Sequence, residues 1–243
     1  MKILVLGDIH GRDCWEDIIN IEHPDRVIFL GDYVSTHYDI SEEDQILNLI
    51  KILDYKKDNP NKVILLRGNH DMQHCGFAWA ECSGLYLKVY QWMSENCEMF
   101  LDLTQWVHVE DDIIFSHAGI SKTWFDANEF ESVEDINKEI PTCKFGFTPC
   151  RWSDYTGSSE TQPLTWIRPQ TLILNALDNR TQVVGHTPVI QVCNITQEAR
   201  LESDDELLEK LEGAPDVWCC DNLPKGYLII EDKQFKPTKY ERR

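Results

Sequence analysis

The sequence predicts an α/β fold built on a parallel sheet, and three observations carry that expectation. The first third of the chain alternates short β-branched runs with helix-period patterns. Each apolar run ends in a polar, glycine-containing loop. The composition, 42% hydrophobic and 27% charged over 243 residues, is that of an ordinary globular chain. That length suits a full core, and the expectation is a single domain over 1–243 with an irregular excursion at about 120–163.

Taken in order, residues 3–6 read as a strand and 13–21 as a helix. Residues 26–30 are a second strand. Ser41 then reads as an N-cap, with Asp44 in the first turn and Ile46, Leu47, Leu49, Ile50 and Leu53 as the apolar stripe. Residues 62–66 are the third strand. A β-α-β-α-β order implies parallel strands with right-handed crossovers. Residues 72–102, rich in Trp, Cys, Tyr and Met, read as one or two buried helices without a strand. Residues 113–116 are a fourth strand. The excursion holds Pro141, Gly146, Pro149, Gly157 and Pro163 and is expected to cover the strand ends as a lid. Residues 164–177 read as a helix, 182–185 as a strand, 189–195 as an antiparallel return and 201–211 as an acidic amphipathic helix. Residues 217–221 and 227–230 are closing strands, and the polar tail after Asp232 is expected to fray.

Charge narrows the function. Lys and Arg number 23 against 42 Asp and Glu, a net charge of −19. Such a surface repels nucleic acid and anionic membrane at long range, and neither is expected as a partner. No apolar run is long enough to span a bilayer. The run Met1 to Gly7 lacks a small-residue cleavage site and leads straight into a polar motif, so it reads as a strand rather than a signal peptide. Nine cysteines, an odd number without regular spacing, favour free thiols in a reducing cytoplasm.

Five polar clusters close apolar runs: Gly7-Asp8-Ile9-His10-Gly11, Gly31-Asp32-Tyr33, Gly68-Asn69-His70-Asp71, Ser116-His117-Ala118-Gly119 and Gly185-His186-Thr187-Pro188. In open α/β sheets the carboxyl ends of strands converge on one site. Together the clusters offer carboxylate, amide and imidazole ligands, a mixture suited to Mn, Fe or Zn rather than Ca or Mg. The set exceeds one tetrahedral ion and suits two divalent ions, with Mn2+ the first choice and Fe or Zn the alternatives. Two such ions bring about +4, and Asp8 with Asp32 remove about two charges, which leaves a surplus for a phosphate dianion. A water shared by the pair would be substantially ionised near neutral pH.

This constellation resembles the calcineurin-like metallophosphoesterase superfamily, whose five blocks all occur here in order between residues 7 and 188. The resemblance implies a four-layer α-β-β-α sandwich of two stacked mixed sheets. It implies Asp8 and His10 as ligands of one metal, Asp32 as the bridging carboxylate, and Asn69, His117 and His186 as ligands of the other. It also implies His70 as the acid that protonates the leaving group. Leu66-Arg67-Gly68-Asn69-His70 and His117-Ala118-Gly119-Ile120 resemble the branch of Ser/Thr protein phosphatases and symmetric diadenosine tetraphosphatases. Trp166-Ile167-Arg168 resembles a bacterial phosphatase segment whose arginine holds substrate phosphate.

The chain departs from that branch after its second block. The branch carries Val-Asp-Arg-Gly there, and here Val34 is followed by Ser35, Thr36 and His37. The usual aspartate orients the catalytic histidine, and the usual arginine clamps phosphate. Asp39 or Asp71 is the candidate replacement for the first, and Arg168 or Arg151 for the second.

The resulting expectation is a dinuclear-metal phosphoesterase acting on phosphorylated small molecules or peptides. The alternatives are a dinucleoside polyphosphate hydrolase, with diadenosine tetraphosphate as substrate, and a metal-binding scaffold without catalysis. Outside the motifs, His37 and His74 are candidates to line the pocket, and Trp152 and Trp166 to touch substrate. His23 and His108 read as surface or strand-end residues, and the cysteines as buried free thiols.

Overall fold

The computed structural model describes residues 1–36, 38–77, 82–138, 157–177, 180–202 and 205–241. In chain order the first elements are β1 (Lys2–Leu6), α1 (Cys14–Glu22), β2 (Arg26–Phe29), α2 (Glu42–Asp58), β3 (Val63–Leu65) and α3 (Asn69–His74). Then come α4 (Leu87–Glu95), α5 (Cys97–Leu103), β4 (Val107–Glu110), β5 (Ile113–Ser116), α6 (Lys122–Ala127) and a 3-10 segment, Val133–Lys138. The last third holds α7 (Pro169–Asn175), β6 (Thr181–Val184), β7 (Cys193–Asn194), α8 (Ile195–Glu202), α9 (Asp205–Lys210), β8 (Val217–Cys219), β9 (Gly226–Glu231) and β10 (Gln234–Lys239).

Two five-stranded mixed sheets form, in the orders β10-β9-β1-β2-β3 and β4-β5-β6-β8-β7. Strands β1, β2 and β3 are parallel, as are β5, β6 and β8. The period of two along each strand decides the layers. Ile3, Val5, Ile28 and Leu30 meet Phe115, Val183 and Cys220 in a core shared by the two sheets. Their neighbours Leu4, Leu6, Val27 and Phe29 point the other way, onto Trp15, Ile18, Leu49 and Ile52 of α1 and α2. Val184, Val217 and Cys219 face Leu172 and Ile173 of α7. The result is the α-β-β-α sandwich.

The helices obey local rules. Helix α2 begins where Ser41 accepts a hydrogen bond from Asp44 N, carries Glu42, Glu43 and Asp44 in its first turn, and ends on Lys56 and Lys57. Helix α1 buries Cys14, Trp15, Ile18 and Ile19 along one stripe and stops at His23 in a left-handed conformation.

Several expectations are corrected. Residues 234–239 of the tail do not fray: β10 pairs with β9 along its whole length, turning through Asp232 and Lys233, both at positive φ. Its polar, Lys- and Pro-bearing sequence is that of an edge strand, and Phe235 stacks on Trp218 at 5.1 Å. A strand absent from the sequence reading, β4, pairs antiparallel with β5. The helix expected over 164–177 is confined to α7, because Pro169 sets its first turn. The antiparallel return over 189–195 shrinks to the two residues of β7, since α8 starts at Ile195. The helix expected over 201–211 is replaced by the end of α8 and by α9, with 203–204 outside the described residues. The first part of the supposed lid is core: Trp124, Val133 and Ile136 are buried in the cluster beneath the first sheet. Residues 139–156, with Arg151 and Trp152, lie outside the described residues, as does His37. Among the described residues no helix is long and apolar enough to cross a membrane.

Candidate metal centre

All six parallel strands deliver a polar residue at their carboxyl ends: Asp8 after β1, Asp32 after β2, Asn69 after β3, His117 after β5, His186 after β6 and Asp221 after β8. These six and His10 are all at least nine-tenths buried. The loops that carry them touch closely. A Cβ on Gly68 would lie 2.1 Å from Asp32 Oδ1, and one on Gly185 would lie 2.3 Å from Asp8 Oδ1. Glycine is therefore required at both points. Three of the clustered residues, His10, Asp32 and His186, hold left-handed backbone at φ 46°, 50° and 62°. Such strain persists only where surrounding contacts over-determine it.

Backbone groups aim each side chain. His10 Nδ1–H donates to Val34 O at 2.9 Å, and His117 Nδ1–H donates to Leu30 O at 2.8 Å. Each ring thereby turns its Nε2 lone pair inward. Asp8 Oδ1 accepts from His186 N, and Asp32 Oδ1 from His70 N, both at 2.9 Å. What points inward is a set of ring nitrogens and oxygens within hydrogen-bonding reach of one another. His117 Nε2 lies 3.0 Å from Asn69 Oδ1 and 3.4 Å from Asp32 Oδ2, and His186 Nδ1 lies 3.1 Å from Asn69 Oδ1. His10 Nε2 lies 3.8 Å from Asp8 Oδ2 and 4.0 Å from Asp32 Oδ2.

Ligand atoms this close repel unless a proton or a metal cation is shared among them. The electrostatics say the same. Burial alone would push the His117 imidazole down, but Asp32 and Asp8 reverse this and hold it up at about 10. The pocket thus draws a positive charge to that spot. Burial would raise Asp32, and His117 and His70 instead keep its carboxyl well below the usual range. Burial and the neighbouring Asp221 push Asp8 upward. Two groups bring three ligand atoms within 4.8 Å of one another, close enough to share an ion: Asp8-His10-Asp32 and Asp32-His117-His186. Asp32 belongs to both. The donor set therefore fits two cations with one shared carboxylate.

His70 stands beside this floor, its ring edge-to-face with His10 at 5.3 Å. Its Nδ1 lies 3.5 Å from Cys82 Sγ. Neither sequence candidate for orienting it is placed there. Asp71 is occupied by backbone amides, with Oδ2 accepting from Gly68 and Asp32 and Oδ1 from Tyr33. Asp39 is exposed and lines a neighbouring cleft with Gly11, Ile40 and Asp44. Ser35 supplies a different link, because its hydroxyl donates to Gly84 O and ties down the segment that carries Cys82. His74 lies outside the cavity lining and is structural: its Nδ1–H donates to His70 O, and its Nε2 accepts from Tyr86 N.

The centre opens into a cavity of about 620 Å³ lined also by Trp166, Arg168, Tyr38 and Arg12. Arg168 donates to Thr187 Oγ1 at 3.0 Å and to His186 O at 3.3 Å, which holds its guanidinium beside the floor. Sequence reading missed Arg12, Cys82 and Asp221. Arg12 donates to Ile9 O and Asp8 O and covers the Tyr38 ring at 5.1 Å. Asp221 was legible, since it closes an apolar strand as the five blocks do. It adds a third carboxylate and lowers the surplus of two divalent ions from about +2 to about +1, which Arg12 and Arg168 offset.

Comparison with known proteins points the same way. The calcineurin-like phosphoesterase family profile matches residues 1–220. Serine/threonine-protein phosphatase PP1-1 of Saccharomyces cerevisiae is 30% identical over 168 residues, covering 63% of this chain and 49% of its own. The serine/threonine-protein phosphatase 6 catalytic subunit of Drosophila melanogaster is 29% identical over 161 residues, covering 63% and 50%. The chain thus spans about half the length of these relatives. A metallophosphoesterase from Sphaerobacter thermophilus superposes on the whole chain and 90% of itself, with TM-score 0.52 at 16% identity. A protein serine/threonine phosphatase from Saccharomyces cerevisiae with similarity to human phosphatase PP5 covers 100% and 80%, with TM-score 0.56 at 15% identity. At such identities the structural likeness speaks for the fold alone.

Proposed function

The chain belongs to the calcineurin-like phosphoesterase family, and on that premise we propose that it hydrolyses phosphomonoesters, phosphorylated peptides among them, with two divalent metal ions. Mn2+ is the proposed pair, with Fe or Zn as alternatives. The single observation that carries this reading is Asp32, a carboxylate common to two ligand groups. Asp8 and His10 would hold one ion, Asn69, His117 and His186 the other, and Asp32 both. When bound, such a pair supplies Lewis acidity and ionises water near neutral pH.

The chain's own residues do the rest. His10 and His117 are held as Nε2 donors by Val34 O and Leu30 O. Arg168 reaches into the cavity and would take a non-bridging phosphate oxygen. His70 is the proposed acid for the leaving oxygen. Burial pushes its imidazole down to about 4 while Asp32 opposes this, and a phosphate dianion arriving beside it would raise it again. Cys82 at Nδ1 is the proposed support for its ring. Exclusion of nucleic acid rests on the net charge of −19, and the proposed cytoplasmic setting on nine irregularly spaced cysteines.

Tyr38 and Trp166 favour a second reading, because both rings line the cavity and offer surfaces for a base to stack on. A panel of p-nitrophenyl phosphate, phosphoserine peptide, diadenosine tetraphosphate and single-stranded DNA separates the two. Highest kcat/KM on a monoester is expected. Highest efficiency on diadenosine tetraphosphate would install the second reading, and no turnover with any metal would leave only the scaffold.

A further inference from the structure

Beside the metal cavity lies a second cleft of about 680 Å³, and the two share Arg12 and Tyr38 as a common wall. The loop at this wall is the one in which the chain departs from its branch. Buried Gln45 of α2 holds that loop at both ends. Its Oε1 accepts from Ser35 N at 2.9 Å and Thr36 N at 3.3 Å, and its Nε2 donates to Ile40 O at 3.3 Å. Thr36 Oγ1 accepts from Tyr38 N at 3.0 Å, and Thr36 O accepts from Tyr86 OH at 2.6 Å. Between these anchors Tyr38 and Asp39 are exposed. The Tyr38 ring carries the Arg12 guanidinium at 5.1 Å, and Arg12 donates to Asp8 O at 2.8 Å, so the wall stands directly on the metal floor.

The second cleft combines apolar and acidic surface. Ile40, Leu47, Pro224 and Tyr240 line it, with Leu47 57% exposed. Asp13, Asp39 and Asp44 line it too, all three exposed. Asp44 Oδ2 accepts from Ser41 Oγ at 2.7 Å, a neutral partner that leaves its charge in place. Against these carboxylates stand two cations, Lys51 and Arg12. Lys51 is matched by Glu16 at 2.9 Å, and Arg12 is committed to carbonyls of the metal floor, Asp8 O and Ile9 O. The cleft therefore carries an excess of negative charge beside an apolar surface. A side chain with an aliphatic stem and a cationic head matches both parts. A second phosphate or an acidic residue matches neither.

We propose that the second cleft takes an arginine or lysine side chain of the substrate, so that the chain selects phosphopeptides with a basic residue close to the phosphorylated one. The proposal deepens the function proposed above and rests on it. Phosphate on the metal floor and a cation in the cleft place opposite charges of one substrate on the two sides of the Arg12–Tyr38 wall. Each side repels the other's group, and this fixes which way round the peptide lies. The contact is made in the ground state and the transition state alike, so it acts on KM rather than kcat. An exposed ion pair together with a covered aliphatic stem amounts to about tenfold in kcat/KM. p-Nitrophenyl phosphate has no flanking residue and gains nothing from the cleft.

The test uses the full chain loaded with Mn2+ and a set of alanine-based phosphoserine peptides. A single Arg is moved one position at a time along either flank, and each peptide has a Glu twin. The best Arg peptide should exceed the all-Ala peptide about tenfold in kcat/KM, through KM, and the Glu twin should fall below both. The ratio of Arg to Ala peptide, taken on one enzyme, cancels any general damage from a substitution. Asp39→Asn should lower that ratio about threefold, and Asp39→Lys should turn the preference toward Glu. Strong salt should shrink the ratio in the native chain. Equal efficiency of Arg, Ala and Glu peptides at every position, on an enzyme that turns over p-nitrophenyl phosphate, would overturn the assignment. So would a ratio untouched by Asp39→Lys, or a KM for diadenosine tetraphosphate that responds to Asp39→Lys while those of the peptides do not. If no substrate is turned over, the proposed function fails, and fluorescence anisotropy of labelled peptides on the same loaded chain still decides the cleft. Binding of the Arg peptide about tenfold tighter than its Glu twin would uphold it, and equal binding would overturn it.

Discussion

The floor of the cavity and its wall are built in different ways. The floor is a set of buried side chains one to four residues beyond strand ends, aimed by hydrogen bonds to main-chain groups such as Val34 O and Leu30 O. The wall is Arg12, Tyr38, Cys82 and Arg168, side chains that reach in from loops and rest on the floor's own loops, as Arg12 does on Asp8 O and Arg168 on His186 O. Backbone-anchored ligands tolerate little, because each is held from two sides. Loop-anchored groups can change between relatives without disturbing the fold. This chain shows that division: its floor carries every block of the family pattern, and the buried segment behind its wall has Ser35 and Thr36 where the branch has Asp and Arg.

The largest expected effect strikes the floor where both halves share a residue. Asp32→Asn should lose more activity than the roughly 100-fold that removal of an outer-shell partner costs. Steady-state rates on p-nitrophenyl phosphate read this directly, and a loss under tenfold would mean that Asp32 is a fold residue only.

At the join of floor and wall, His70→Ala should slow phosphoserine peptide by ~10²–10⁴-fold and p-nitrophenyl phosphate much less, because help from an acid matters most for a basic leaving oxygen. Equal losses on both substrates would assign His70 to support of the metal site.

In the wall itself, Arg168→Ala should raise KM and lower kcat, each by about tenfold, since its guanidinium would serve phosphate in the ground state and in the transition state. Full activity in that variant would shift the clamp to Arg12, whose substitution by Ala is the matched comparison.

The smallest effect lies far from both. Glu22 bonds Lys2 at 2.6 Å and accepts from Tyr227 OH, with its side chain 15% exposed. Burial would raise its carboxyl, and those two partners bring it below the ordinary value. A carboxyl lowered on folding stabilises the fold above its unfolded value, about 4.3, and that stability is lost as pH falls through the folded value. The Tm difference between the native chain and Glu22→Gln should therefore be greatest above about pH 5 and shrink in more acid solution. A difference independent of pH would remove the ion pair from the account.

Legibility in the sequence follows the same division. The floor could be read because an apolar run followed by Gly-Asp or Gly-Asn-His is a local signal, and parallel strands bring such ends together. Asp221 also closes an apolar run but follows Cys220 rather than a glycine, so the signal is weaker and the residue reads as the last of its strand. The wall could not be read. Cys82 reaches His70 through contacts from Gln73 Oε1 and Ser35 Oγ, nine and 49 residues from the atoms they bond. Nothing near Arg12 in sequence reveals that its guanidinium will lie on Tyr38. The fold shows the parallel: the buried strands were legible by period, whereas edge strands β4 and β10 hid in polar composition, where pairing alone makes the strand.

Metal stoichiometry after loading with Mn2+ and desalting tests the central claim most directly, with elemental analysis on the native chain, Asp8→Asn and Asp32→Asn side by side. The account expects two ions per chain in the native protein, about one in Asp8→Asn and fewer than one in Asp32→Asn. Two ions retained by Asp32→Asn, or none bound by the native chain, would contradict it.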